Sequence, residues 1–214
     1  MILFKDPFDA GIQLAARLLH YKNAPNTIVL GLPPAGVVGA IQVAQALNLP
    51  LDIVVPRKIG APDQPELAVG AIAQDGTLVW NEDVKQLLGL TGADLSPIMD
   101  LEYKEAKRRF NLYRAGRLPL NLKHMTAILV DDGIATGATM RVAIKSARAL
   151  GAQKIVAAVP LGSQESMGLV AHDADETLCL YTPDFLPAIG TFYERFPQTT
   201  DAEVIELLGK VNPH

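Results

Sequence analysis

Apolar residues recur along the chain in two alternating rhythms. Thr27 to Leu32, Leu51 to Val55, Ala127 to Val130, Lys154 to Val159 and Thr177 to Tyr181 are short runs rich in β-formers. Such runs mark strands buried on both faces of a parallel sheet. Between them apolar positions fall three or four apart, the rhythm of an amphipathic helix. Asp6-Pro7 supplies an N-cap and a proline at the first helical position, and Phe8, Ile12, Ala15 and Leu19 predict the buried stripe of a helix ending near Tyr21. A helix is expected over Val37 to Leu47, which makes the first strand pair a βαβ unit with a right-handed crossover. Another follows the Ala127 to Val130 run: Met140, Ala143, Ile144, Ala147 and Leu150 share one face, Arg141, Lys145 and Arg148 the other, and Gly151 closes it. This alternation predicts an α/β fold, an open, mainly parallel twisted sheet with helices on both faces.

The rhythm is broken once. Leu67 to Ala73 and Thr77 to Trp80 flank Gln74-Asp75-Gly76 and predict a hairpin. Asn81 caps a helix to about Leu88, and Ser96-Pro97 is expected to start a longer one with apolar points Ile98, Leu101, Ala106 and Phe110. On that helix Arg108, Arg109 and Arg114 are expected to be solvated or paired with Glu102 and Glu105. Ser163 caps a further short helix, and Thr200 with Glu203 forms a capping box for a last one over Asp201 to Leu208. No repeat, low-complexity tract or linker divides the chain, so residues 1–214 read as one domain, with a core over about 24–182.

Composition narrows the class. Of 214 residues, 49% are hydrophobic and 20% charged, and the formal net charge is −4, which gives no electrostatic case for nucleic-acid or membrane binding. No apolar run reaches the length of a membrane span and no signal peptide is visible, so the expectation is a cytoplasmic protein. The single Cys179 lies in an apolar run and reads as a core residue. His20, His124, His172 and His214 are scattered without ligand-like spacing.

The chemistry concentrates in Thr126 to Met140. Asp131 and Asp132 end a buried strand, Gly133 to Thr139 form a small-residue loop, and a helix follows. The first amides of a helix lack backbone partners and its dipole favours negative charge there, so Gly133, Ala135, Gly137 and Ala138 let a phosphate approach the backbone while Thr136 and Thr139 add hydroxyl donors. The two carboxylates would repel that phosphate, but they accept hydrogen bonds from vicinal hydroxyls. A sugar phosphate satisfies both features.

Val-Asp-Asp-Gly-Ile-Ala-Thr-Gly-Ala-Thr resembles the phosphoribosyl-diphosphate (PRPP) motif of the type I phosphoribosyltransferases. The resemblance implies that Asp131 and Asp132 hold the ribose hydroxyls, that Ala135 to Thr139 bind the 5-phosphate, and that Mg²⁺ arrives with the diphosphate and touches Asp131 or Asp132 directly or through water. It also implies that the loop Pro33-Pro34-Ala35-Gly36 binds pyrophosphate through backbone amides, with Pro34, Ala35 and Gly36 lining that subsite. Similar members carry Pro-Arg-Gly-Gly there, so this chain lacks a cation and an amide donor, and its Ala35 resists positive φ. Arg57 and Lys58, at the end of the second strand, could replace the missing charge, and Pro62 to Glu66 would be a flap over PRPP. Arg-Lys-Ile-Gly-Ala-Pro followed by Pro-Glu-Leu-Ala-Val-Gly-Ala-Ile resembles a little-characterised subgroup of the family.

The family also implies a small hood from the chain ends, here about 183–214, in which Phe185 and Tyr193 either stack on the acceptor base or fill a hydrophobic core. The implied activity is transfer of phosphoribose to a nitrogen acceptor, usually a nucleobase, with release of pyrophosphate. A homodimer is left open. The altered first loop favours a rival, a non-catalytic sensor of PRPP or a nucleotide, and a phosphate-ester hydrolase is a third reading. The lack of a Gly-x-Ser-x-Gly elbow argues against a serine-hydrolase triad.

Overall fold

A computed structural model of the chain describes residues 2–211, so His214 lies outside the described residues. In chain order the elements are α1 (Pro7–Arg17), β1 (Thr27–Gly31), α2 (Gly36–Leu47), β2 (Leu51–Ile53), β3 (Pro56–Ala61), β4 (Gln64–Ala73), β5 (Leu78–Trp80), α3 (Glu82–Leu87) and α4 (Gly92–Tyr113). Then come β6 (Thr126–Val130), α5 (Ala138–Ala149), β7 (Lys154–Leu161), α6 (Gln164–Asp173), β8 (Glu176–Tyr181) and α7 (Asp201–Val211).

The buried runs form one parallel sheet in the order β2-β1-β6-β7-β8. Successive strand residues point to opposite faces. Val29, Ile128, Val130, Val156 and Ala158 pack with α1, α2 and α7, whereas Leu30, Ala127, Leu129, Ile155 and Ala157 pack with α5 and α6. Both faces are therefore covered, which is why these strands are continuously apolar. From β1 the chain crosses to one side through α2; from β6 it proceeds to the other through α5. Strand order reverses between β1 and β6, and in open α/β sheets ligands bind at that reversal, outside the carboxyl ends of the strands.

The second predicted strand ends at Ile53, and Pro56 begins a separate antiparallel sheet, β3-β4-β5. Arg57 and Lys58 therefore lie on β3 opposite Ile72 and Ala71, and the expected flap loop is a turn at Pro62-Asp63 joining two paired strands. This sheet lies between α4, which meets Ile59, Val69 and Ile72, and α5, whose Ala138 and Val142 pack on Ala71, Ala73 and Val79. At its base the Val55 amide donates to Gln74 Oε1 at 2.7 Å and Ser146 Oγ on α5 donates to Asp75 Oδ2 at 2.9 Å.

Two helices differ from expectation for identifiable reasons. On α1 the buried positions are Ala10, Gly11, Leu14 and Ala15, while Phe8, Ile12 and Leu19 are about half exposed. The helix approaches α2 too closely for large side chains: a Cβ on Gly11 would lie 2.7 Å from Gly39 Cα. Gly11 and the alanines thus face inward beside Leu14, and Phe8, Ile12 and Leu19 are displaced outward. Helix α4 starts before Ser96-Pro97 because Thr91 and Asp94 form a reciprocal capping box, which leaves Pro97 inside the helix and Leu101 65% exposed. Arg108 and Arg109 pair with Glu105 as expected. Arg114 instead reaches Asp52, with Nε and Nη2 at 2.8 and 3.0 Å from the carboxylate oxygens, and ties the end of α4 to β2.

Both side chains of that Arg114–Asp52 pair are nearly excluded from solvent. Removing one partner leaves a buried charge uncompensated, so Asp52→Ala should lower unfolding free energy by about 3–5 kcal/mol, read from urea denaturation midpoints.

Candidate functional site

β1 and β6 run side by side to their carboxyl ends, where Gly31 pairs with Val130 and the Leu32 amide donates to Val130 O at 3.0 Å. The loops leaving these two strands meet at Gly36. A Cβ there would lie 2.7 Å from Asp131 Oδ1 and 2.9 Å from both Asp131 Cα and Val130 O, so only glycine lets the first loop touch the acid pair. The Pro33-Pro34 peptide is cis. Ala35 has φ −73° and ψ −35°, ordinary right-handed backbone, so alanine carries no conformational penalty here, contrary to the expectation from sequence.

Asp131 and Asp132 are partly accessible at the floor of the site. The Asp132 amide donates to Asp131 Oδ1 at 2.9 Å. Desolvation, then the neighbouring Asp132 charge, pushes the Asp131 carboxyl well above the usual range, and desolvation pushes Asp132 up to about 6. Tyr193 Oη donates to Asp132 O at 2.6 Å. Its ring is only 5% exposed and packs against Phe4 and Phe196 at centroid distances of 5.3 and 4.9 Å. Desolvation and the two acids together raise its phenol. Tyr193 thus supports the acid pair from within the hood, whereas Phe185, 77% exposed, presents an open ring. Gly133 is needed for packing as well: a Cβ would meet Ile189 at 2.7 Å.

The loop before α5 is held from β7 and α6. The Ile134 amide donates to Leu161 O at 2.8 Å, and Ser166 Oγ donates to Ala135 O at 2.6 Å. Gly137, at φ +79°, occupies the N-cap without a side-chain cap, so Ala138, Thr139 and Met140 begin the helix with amides that no side chain satisfies. Ala135 and Thr136 are exposed above them. This is the geometry that receives an anion.

Beside it lies a cavity of about 580 Å³ whose walls include Pro33, Pro34, Arg57, Lys58, Glu102 and Thr139. It brings the basic strand together with the first loop and the start of α5. Arg57 Nε lies 2.7 Å from Glu102 Oε2, and Lys58 Nζ lies 3.0 Å from Glu66 Oε2. Sequence reasoning missed Glu102, Ser166 and Ile189. The spacing Ser163-Ser166 carried a faint signal; the other two contacts join distant segments.

Among the described residues no group of three or more His, Cys, Asp and Glu side chains could hold a metal ion. Two adjacent carboxylates at the floor of the site do fit the usual Mg²⁺ arrangement, in which one or two protein carboxylates supplement phosphate and water oxygens. Cys179 donates to Tyr181 O, and burial pushes its thiol up to about 11, which disfavours the thiolate a nucleophile needs. No helix among the described residues is long and apolar enough to cross a membrane.

Known proteins resemble this chain over nearly its whole length. The family model for the phosphoribosyl transferase domain matches residues 5–186. In two strains of Mycobacterium tuberculosis, CDC 1551 and H37Rv, a protein provisionally named a phosphoribosyl transferase is 45% identical over 212 residues, 99% of this chain and 48% of the relative. The chain therefore spans about half the length of these curated relatives. The crystal structure of TT1426 from Thermus thermophilus superposes with a TM-score of 0.78 at 34% identity and covers 99% of each chain.

Two outcomes follow from the loops. Gly36→Ala should force the first loop off Asp131 and cost about 1–3 kcal/mol of stability, read by urea denaturation. For the acid pair, folded-state pKa values raised above the unfolded value mean that the folded chain holds extra protons, so stability falls as pH rises from 3.8 through about 6. In urea titrations across that range, Asp131→Asn/Asp132→Asn should gain stability relative to wild type as pH rises. A difference that stays flat would contradict the desolvated pair.

Proposed function

The chain belongs to the phosphoribosyl transferase domain family, and on that basis we propose that it binds PRPP with Mg²⁺ and transfers the phosphoribosyl group to a nitrogen acceptor, a nucleobase. In this reading Asp131 and Asp132 accept hydrogen bonds from the ribose hydroxyls. The 5-phosphate lies on the amides of Ala138 and Thr139 with Thr136 and Thr139 hydroxyls, and the diphosphate extends toward the cavity of Arg57 and Lys58. The observation that carries the proposal is the contact at Gly36, which brings the first loop against Asp131, while Pro33 and Pro34 of the same loop share the cation-lined cavity with Thr139 at the start of α5.

The bond from ribose C1 to the diphosphate oxygen breaks, its electron pair leaves with pyrophosphate, and the acceptor nitrogen forms the new bond to C1 and loses its proton. Charge develops as in other glycosyl transfers, with an oxocarbenium-like ring and a departing anion. Catalysis is then positioning plus electrostatics: the acids and the loop fix the sugar, and Arg57 and Lys58 stabilise the leaving group. Bound Mg²⁺ would neutralise diphosphate charge, held by Asp131 or Asp132 directly or through water. Phe185 is the exposed ring available to stack on a base.

A second reading, a sensor that binds PRPP or a nucleotide without turnover, is favoured by Pro34, which offers no amide where pyrophosphate would sit. Calorimetric titration of PRPP with Mg²⁺ into wild type and Asp131→Asn/Asp132→Asn tests the site. Binding by wild type and not by the variant is expected; no binding by wild type would sink the proposal. A screen of purine and pyrimidine bases for pyrophosphate release then separates enzyme from sensor. Release of inorganic phosphate without a base would indicate a hydrolase.

A further inference from the structure

Both cations on β3 have carboxylate partners, but the two pairs differ. Glu66, the partner of Lys58, is almost fully exposed, and an exposed pair of that kind constrains little. Glu102 and Arg57 are mostly buried, at 18% and 31% side-chain exposure, and both line the cavity beside Pro33-Pro34. Among the described residues Glu102 engages only the Nε of Arg57, which leaves both Nη groups without a hydrogen-bond partner. A guanidinium held by its Nε edge presents its Nη donors in a fixed orientation, suited to bidentate contact with phosphate oxygens. The pair also rests on firm supports: β3 is tied at its base to Gln74, and the far end of α4 is clamped to β2 by Arg114 and Asp52.

We propose that Glu102 is a positioning residue for diphosphate: it holds Arg57 by Nε so that the Nη groups face the cavity beside the first loop, where they replace the cation that the loop lacks. This rests on the cavity being the diphosphate end of a PRPP site. Glu102 also carries a negative charge toward a site meant for an anion. The orientation it imposes on Arg57, which lies nearer the anion, must therefore outweigh its own repulsion, and that makes the claim testable in sign.

The experiment is calorimetry on the full chain with two probes, Mg²⁺-pyrophosphate and ribose 5-phosphate. Pyrophosphate reads the cavity; ribose 5-phosphate reads the acid pair and the α5 loop without it. Loss of one charge-assisted contact geometry should weaken pyrophosphate binding about tenfold in Glu102→Ala, and at least as much in Arg57→Ala, while ribose 5-phosphate affinity stays within about twofold. Glu102→Gln keeps an acceptor for Nε and should recover part of the loss, which a purely structural role in stability would not predict. It also serves as the second variant if Glu102→Ala fails to fold. Unchanged or tighter pyrophosphate binding in the Glu102 variants, with Arg57→Ala still impaired, would overturn the positioning role and leave the site reading intact. Failure of wild type to bind either probe would overturn both.

Discussion

The site depends on one absence of volume. Gly36 comes so near Asp131 that a single methyl group would collide with its carboxylate and with the backbone behind it. That contact is possible because β1 and β6 are adjacent and their crossovers depart in opposite directions, which leaves a crevice between the loops instead of a helix across it. The amino ends of α2 and α5 both open toward that crevice. Dipoles, free amides and the acid pair are therefore brought together by topology before any side chain contributes.

The acid pair is a costly element of the resting protein. Two carboxylates next to each other at the floor of a cleft lose hydration and repel, and their raised pKa values express that cost. Tyr193 and Ile189 add to the enclosure, one at the Asp132 carbonyl and the other over Gly133. A hydrogen-bond donor or a cation placed there would relieve that repulsion. The hood, although built from the ends of the described chain, contributes directly to the electrostatics of the centre.

Much of this was legible in the sequence because it depends on local rules. Buried runs, N-caps at Asp6, Asn81, Ser163 and Thr200, and the positive-φ glycine that closes α5 at Gly151 each follow from nearby residues. Expectation and structure part where packing between elements decides. Of the expected α1 stripe only Ala15 is buried; the close α1–α2 contact puts Gly11 inward and leaves Phe8, Ile12 and Leu19 half exposed. Arg57 and Lys58 read as a strand end followed by a loop, because nothing local indicates that Pro56 begins a second sheet. Glu102 was grouped with the arginines of its own helix, but its partner is 45 residues away. Ala35 was read as a conformational obstacle, yet its backbone is right-handed.

Phe4 bridges Tyr193, and Arg195 reaches Asp6. The support under Asp132 therefore joins segments from opposite ends of the described chain. That joint spans 189 residues, so forming it closes one of the longest loops among the described residues, at a large cost in chain entropy. The brace on the acid pair thus rests on some of the least local contacts among the described residues, while the strands that carry the pair rest on nearer ones.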